Sequence, residues 1–538
     1  MKVYDVVAKM LDDLGVEFVF GVMGDVNMRY IASLREGFEE RYVAAAHEAG
    51  AVAMADGYSR LSGRVGIATV THGPGVTNAL TALTEAVRSR SSLVVLTGTT
   101  PRQSHHKQWL DLRTAARLAG AAFRSLQTAD DIAAGIALAM RDAEVIRRPV
   151  VVDISASLLD KDTDAVDVAA RPWALSRIMP DPDHLDEVLG IIASAARPVI
   201  LAGRGVISAN ARGEVLDLAD ALVAPVANTV MAMNLAAGHP ANLGIFGGES
   251  HSLAIKRISE ADCVIALGAS LNEETTANGD LLKNATVVRV DNDPVQIAGG
   301  DPSWVPVLAD VKLFATHVAD ALREVGGRES RQWTSTIVEE LAAFDPTDDF
   351  VDASGTERID LRTAMVELDS RLPAGRGLVT DVGRFKTAPW RHLACSPGAF
   401  SQNGGFGAIG LGLPLAIGAS FARPDIPMIA AVGDGGLMMS ISEMATLAEH
   451  RLPLVVLIAN DGSYGAEWEK LGSYGHSPEH SLRTWPSYAE IARGFGLESH
   501  VVRRREDIAQ LSPRLADITA PLVLDIRTDP ALNIRIYK

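Results

Sequence analysis

The chain has 538 residues, 47% of them hydrophobic, and a formal net charge of −17. That length exceeds what one core serves and points to about three domains, while the negative charge argues against nucleic acid as a partner. Cys263 and Cys395 stand far apart with no zinc-type or CxxC spacing, so a disulfide scaffold is excluded and a cytoplasmic setting is expected.

The first stretch, MKVYDVVAKMLDDLG, has helical apolar spacing and reads as an amphipathic helix, not a signal peptide. Over residues 1–165 the apolar runs EFVFGV, YVAAAH, VGIATVT, SLVVLTG and PVVVDI alternate with helical stretches. Such alternation predicts a parallel sheet covered by helices. A polar, Pro-containing linker follows. Residues 184–325 repeat the pattern with PVILAG, CVIALGA and TVVRVD. After a second, partly helical connector, residues 358–538 carry GLVTDVG, MIAAVG, LVVLIA and PLVLDI. The expected fold is α/β, with three domains of parallel sheet flanked by helices, the first and third alike. No apolar run reaches the roughly 18 residues of a membrane span. The richest, AIGLGLPLAIGASFA, is broken by Gly and Pro.

AAVGDGGLMMSISEMATLAEHRLPLVVLIANDGSYG, residues 430–465, is one β-α-β unit. MIAAVG and LVVLIA read as strands buried on both faces. Ser440 and Glu443 have capping-box spacing, and Arg451-Leu452-Pro453 stops the helix. A right-handed crossover makes the strands parallel, so Asp434 and Asn460 both lie at carboxyl ends, where open α/β sheets bind ligands. Asp434 offers a carboxylate oxygen, Asn460 an amide oxygen and Gly462 a backbone carbonyl. An all-oxygen set suits Mg²⁺ or Ca²⁺. Gly433, Gly435 and Gly436 let backbone N–H groups approach a phosphate. Two Asx-type turns account for the same residues without a ligand.

This GDG, with Asn460 of NDG 26 residues after Asp434, resembles the metal–diphosphate motif of thiamine-diphosphate enzymes. Over nearly its whole length the chain is similar to the acetolactate synthase, pyruvate oxidase and 2-oxo acid decarboxylase family. HEAGAVAMADGYSR, residues 47–60, resembles the pyrimidine-domain motif. The resemblance implies that Glu48 holds the aminopyrimidine ring in the tautomer that generates the C2 ylide. The plain alternative is a glutamate favoured by a helix N-terminus. THGPGVTNAL matches the family's Gly-Pro-Gly turn and implies cofactor contacts from Gly73, Pro74 and Asn78. GGFGAIGLGLP matches the segment that supports the bent cofactor, implying Gly407 and Ile409. Gly383, ending TDVG, falls where the family faces the diphosphate, followed here by Arg384-Phe385 where synthases often have Gln-His; Arg384 is a weak candidate for a phosphate contact. Gly405 to Gly410 also spell a formal GxGxxG, which would suit a Rossmann-type oxidoreductase. SPGAFSQNG before it reads as a turn and not a strand, and no strand-end acid follows about 20 residues on.

In this family a 2-oxo acid loses CO₂ to leave an enamine. Protonation gives an aldehyde, attack on a second carbonyl gives an acyloin or acetohydroxy acid, and electron transfer to flavin gives an oxidase. Asp25 falls where pyruvate decarboxylases carry an active-site Asp, and Glu467 lies near their second acid. His72 stands where synthases usually have Ser, beside a benzoylformate decarboxylase His. Gln108 resembles the substrate-side Gln of many synthases. His105-His106 resembles a double His of pyruvate decarboxylases at different spacing, and a solvated loop explains it as well. LGASLNEETT, residues 267–276, lacks the basic residue of the synthases' flavin-contact segment, so FAD is not expected. The resemblance implies a carboligase or lyase acting on a 2-oxo acid, acetolactate-synthase-like, with decarboxylation alone or 2-hydroxyacyl-CoA cleavage as alternatives. A catalytically dead scaffold that only binds partners is the non-enzyme alternative. The cofactor would lie between the first domain of one subunit and the third of another, requiring a homodimer, with a homotetramer by analogy.

Overall fold

The computed structural model describes residues 1–34, 41–100, 106–165, 168, 176–326 and 331–532. Its strands form three six-stranded sheets, each parallel throughout. The first contains β1 (Val19–Gly21), β2 (Tyr42–Ala44), β3 (Gly66–Thr69), β4 (Leu93–Thr97), β5 (Ala122–Leu126) and β6 (Val150–Ile154), in the order β2-β1-β3-β4-β6-β5. The central sheet contains β7 (Pro198–Ala202), β8 (Val226–Asn228), β9 (Asn242–Ile245), β10 (Cys263–Leu267), β11 (Thr286–Asp291) and β12 (Val305–Leu308), in the order β12-β11-β10-β7-β8-β9. The third contains β13 (Gly377–Thr380), β14 (Phe400–Gln402), β15 (Met428–Gly433), β16 (Leu454–Asn460), β17 (Glu498–Val502) and β18 (Leu522–Arg527), in the order β14-β13-β15-β16-β18-β17. The first and third sheets therefore have the same topology. In each, the order reverses between the first and third strands, and the crevice outside the carboxyl ends there is where such sheets take ligands.

Apart from β8, the interior strands are the apolar runs evident in the sequence, buried on both faces. Six strands carried no such signal, and five of them are edges: β5, β9, β12, β14 and β17. Phe400–Gln402 is one of these edges, which corrects the expectation that SPGAFSQNG holds no strand. An edge strand buries less and needs no continuous apolar run. Residues 332–343 of the second connector form a helix that packs Ile337 and Trp333 against the central domain.

The first and third domains share one apolar cluster. Its centre is the crossing of the Glu48–Ser62 helix with the Gly412–Ala422 helix. His47 caps the first helix by accepting from the Ala49 N–H, and Gly63, at φ 72°, ends it. At the crossing the backbones touch: a Cβ on Gly57 would overlap the Leu415 carbonyl, and one on Gly418 would overlap the Met54 carbonyl. Phe421, one turn on, packs against Phe18 and Phe20 at ring distances of 4.9 and 5.7 Å. Among the described residues no helix is long and apolar enough to cross a membrane.

Because neither carbonyl can give way without moving its helix, Gly418→Ala should cost about 3 kcal/mol. Chemical denaturation of wild type and variant checks this; equal midpoints would mean that the helices can separate freely.

Candidate active site

Asp434 follows β15 as the first residue of the Asp434–Met439 helix. Its carboxylate accepts from the N–H of Gly435 (2.7 Å) and of Gly462 (2.8 Å). Its carbonyl accepts from the Tyr488 hydroxyl (2.7 Å). Burial, and then the neighbouring Asp461, push the Asp434 carboxyl up to about 7. A buried carboxylate facing a second one is stabilised by a positive charge. Asn460 ends β16, and its amide nitrogen donates to Asp525 on β18 (2.7 Å). That bond leaves the amide oxygen as the group available to a cation. Gly462, at φ 69°, gives its N–H to Asp434, while its carbonyl accepts from the Arg483 N–H (2.8 Å) and keeps one lone pair. Together these groups could offer hard oxygens to a divalent cation and leave room for phosphate oxygens. The glycines beside them leave little space for a side chain. A Cβ on Gly435 would lie 2.7 Å from the Tyr464 ring, one on Gly436 2.7 Å from the Asp381 carboxylate, and one on Gly433 3.1 Å from the Phe385 ring.

One expectation changes here. Ser440 makes no capping hydrogen bond, and Glu443 is buried and turned toward the first domain, so the capping box does not form. Arg384 is committed to Asp461 (3.2 Å) and the Pro530 carbonyl (2.8 Å), with its guanidinium 5.5 Å from the Trp468 ring centre. It braces the Asn-Asp-Gly turn, a role its place in the sequence does not suggest. Gly383 lies in the turn just before it, after β13.

Asp381, in that same turn, organises the loop that carries Ile409. Its buried carboxylate accepts from Asn403 Nδ2 (2.8 Å) and from the N–H of Val382 (2.7 Å) and Gly410 (2.9 Å). Burial pushes it up to about 6. Asn403 also donates to the Ala408 carbonyl (2.6 Å). From the first domain, Glu85 accepts from the N–H of Gly405 (3.0 Å) and Phe406 (2.6 Å). Ile409 is half-buried and Gly407 is exposed at φ 80°. The GxGxxG follows a strand after all, but three of its amides serve protein carboxylates, which is unlike a pyrophosphate-binding turn.

At the first sheet, Glu48 opens its helix half-buried and accepts from Asn78 Nδ2 (3.0 Å). Gly73, at φ 63°, precedes Pro74, which starts the Pro74–Arg88 helix. A Cβ on Gly73 would lie 2.5 Å from the Gln108 carbonyl. His72 is 5% exposed, with Nδ1 3.3 Å from the Thr71 hydroxyl and its ring centre 5.8 Å from that of His106. Burial pulls its pKa below the usual value, and a Gln108 side-chain hydrogen bond and the Asp25 charge partly oppose this. Asp25 is exposed in the turn after β1. The fold thus gathers Asp25, His72, His106 and Gln108 at one sheet edge, while His105 lies outside the described residues. Glu467 is not among them. It is exposed in the first turn of the Gly465–Ser473 helix and lines a cavity of about 340 Å³ with Tyr464, Leu471, Tyr474 and His480. Among the described residues, no hydrogen bond joins Glu48 to Asp434 or Asn460.

Three family models match this chain. They describe a thiamine pyrophosphate enzyme's N-terminal TPP binding domain over residues 1–117, its central domain over 185–318 and its C-terminal TPP binding domain over 381–526. The chain belongs to the thiamine pyrophosphate enzyme family. It is 28% identical to a probable acetolactate synthase large subunit of Methanocaldococcus jannaschii, across 99% of this chain and 92% of that one. It is 26% identical to the acetolactate synthase of Arthrospira platensis, across 95% and 92%. Its fold is similar to that of the thiamine diphosphate-dependent 4-hydroxybenzoylformate decarboxylase of Rhodococcus jostii RHA1, with a TM-score of 0.83, 23% identity and coverage of 98% and 99%. The thiamine-diphosphate enzyme expected from the sequence is thereby established at the level of family, fold and cofactor.

Asp525 escaped the sequence reading because PLVLDI looks like a plain buried strand. If it orients Asn460, Asp525→Ala should weaken Mg²⁺ binding in the presence of thiamine diphosphate about 10- to 100-fold. Calorimetric titration of Mg²⁺ reads this; unchanged affinity would show that the amide needs no such support.

Proposed function

We propose that this enzyme is a Mg²⁺-dependent C–C lyase or carboligase acting on a 2-oxo acid, acetolactate-synthase-like. The observation that carries this is the buried Asp434 carboxylate beside an Asn460 whose amide oxygen is left free by Asp525, in a chain similar to acetolactate synthases over nearly its full length. Asp434, Asn460 and the Gly462 carbonyl would hold the cation against the diphosphate, with Gly383, Gly433, Gly435 and Gly436 giving the backbone clearance. Glu48 would accept a hydrogen bond from the aminopyrimidine edge, with Gly73, Pro74 and Asn78 shaping its surroundings. Ile409 and Gly407 would lie under the cofactor. Thiamine diphosphate, when bound, supplies a carbon nucleophile and an electron sink for bond breaking beside a carbonyl.

The substrate side would be the His72 cluster. Burial keeps His72 neutral near pH 7, so a ring nitrogen can accept a proton there. Gln108 would orient the ring and the substrate, and Asp25 would stabilise the protonated form. Glu467 would approach from the third domain of a second subunit. The enzyme would be at least a homodimer, and a homotetramer by analogy, in the cytoplasm. Phe406 and Met439, 51% and 60% exposed, suit burial by such a partner.

Decarboxylation without ligation is the second reading, favoured by His72 itself, since a proton delivered there ends the reaction at an aldehyde. Pyruvate and an aryl 2-oxo acid, each with thiamine diphosphate and Mg²⁺, followed by NMR for CO₂ and carbonyl products, test both. Acetolactate or another acyloin supports ligation, free aldehyde alone supports the second reading, and no CO₂ from either overturns both. Glu48→Gln should lower turnover at least about 100-fold, and full activity in that variant would refute its role.

A further inference from the structure

We propose that Glu443 and Glu85 are a reciprocal pair of positioning residues, each crossing the interface between the first and third domains of one chain to fix the backbone that carries the other domain's cofactor-facing residue. The proposal rests on the assignment of Glu48 and Ile409 to the cofactor.

Glu443 belongs to the third domain and is 1% exposed. It accepts from the N–H of Ala46 (3.2 Å) and of His47 (3.1 Å), the two residues before Glu48. Thr446 donates to the same carboxylate (3.1 Å) or to the Ala44 carbonyl (3.0 Å). A Cβ on Gly50 would overlap the carboxylate, so Glu443 is seated against the first turn of the Glu48 helix, where an anion also meets the helix dipole. Glu85 belongs to the first domain and is also 1% exposed. It accepts from the N–H of Gly405 and Phe406, just ahead of Ile409, and from the Ser89 hydroxyl (2.8 Å). Arg60 lies 3.4 Å away, pairs with Asp56 and donates to the Gln402 carbonyl.

Burying two carboxylates is costly unless every acceptor site is used, and packing alone does not call for them, because the Gly57 and Gly418 crossing already closes the interface. Each carboxylate instead takes two consecutive amides of the opposite domain. Neither acts on the cofactor directly; each sets where the neighbouring residue stands.

Glu443→Gln and Glu85→Gln keep the volume but present one acceptor and one N–H₂ donor to two backbone donors. Hydrogen exchange should rise at Ala46 and His47 in the first and at Gly405 and Phe406 in the second. At saturating thiamine diphosphate and Mg²⁺, kcat should fall about 10- to 100-fold with substrate KM within about twofold. A merely structural role gives lower thermal stability and fewer loaded sites but wild-type kcat per loaded site, and would overturn the proposal. Should a Gln variant fail to fold, Glu443→Asp and Glu85→Asp keep both acceptors at shorter reach. They should restore folding with an intermediate kcat; wild-type kcat in both would overturn it equally. If the wild type turns over no 2-oxo acid, the functional assignment fails separately. Hydrogen exchange then decides, with protection lost at Ala46 and His47 in Glu443→Gln and at Gly405 and Phe406 in Glu85→Gln expected, and unchanged protection contradicting the pair.

Discussion

Everything at the site depends on two helices meeting backbone to backbone. The Glu48–Ser62 and Gly412–Ala422 helices cross where Gly57 and Gly418 leave no space for a side chain. That contact joins the first and third domains into one apolar core and sets the distance over which polar groups can bridge them. Glu443 and Glu85 reach across because the helices are this close. Each helix also has a functional end: Glu48 opens one, and the loop carrying Ile409 leads into the other.

The electrostatics follow from that packing. Asp381, Asp434, Glu443 and Asp525 are all buried, and burial raises the pKa of each. Three of them are supported by specific donors: amides of the Ile409 loop for Asp381, amides of the first domain for Glu443, and the Asn460 amide with Arg527 for Asp525. Among the described residues, Asp434 has only backbone donors and a like-charged neighbour. It is the carboxylate with most to gain from a cation, at the sheet edge where the strand order reverses.

Much of this was legible in the sequence, for reasons that also explain what was not. Interior strands such as LVVLIAN announce themselves because helices bury both their faces, whereas ESHVV and AFRSL lie at sheet edges and carry no continuous apolar signal. Asp434, Asn460 and Glu48 stand in local motifs, and the structure places them at carboxyl edges. Glu85, Glu443 and Asp525 were missed because their partners are distant in the chain. Spacing made Glu443 look like half of a capping box, yet its amides belong to Ala46 and His47. The Arg384–Asp461 pair was invisible likewise, since the two residues are 77 positions apart.

In the proposed dimer each complete site draws on the first domain of one chain and the third domain of another. Subunit mixing tests this most directly. Glu48→Gln and Asp434→Ala homomers, carrying different tags, are each expected to be inactive. After exchange of subunits at equal amounts, the mixture should recover about a quarter of wild-type activity, because half the dimers are mixed and each of those holds one intact site. A mixture that stays inactive although tagged heterodimers are recovered would contradict the account and place Glu48 and Asp434 in a single-chain site.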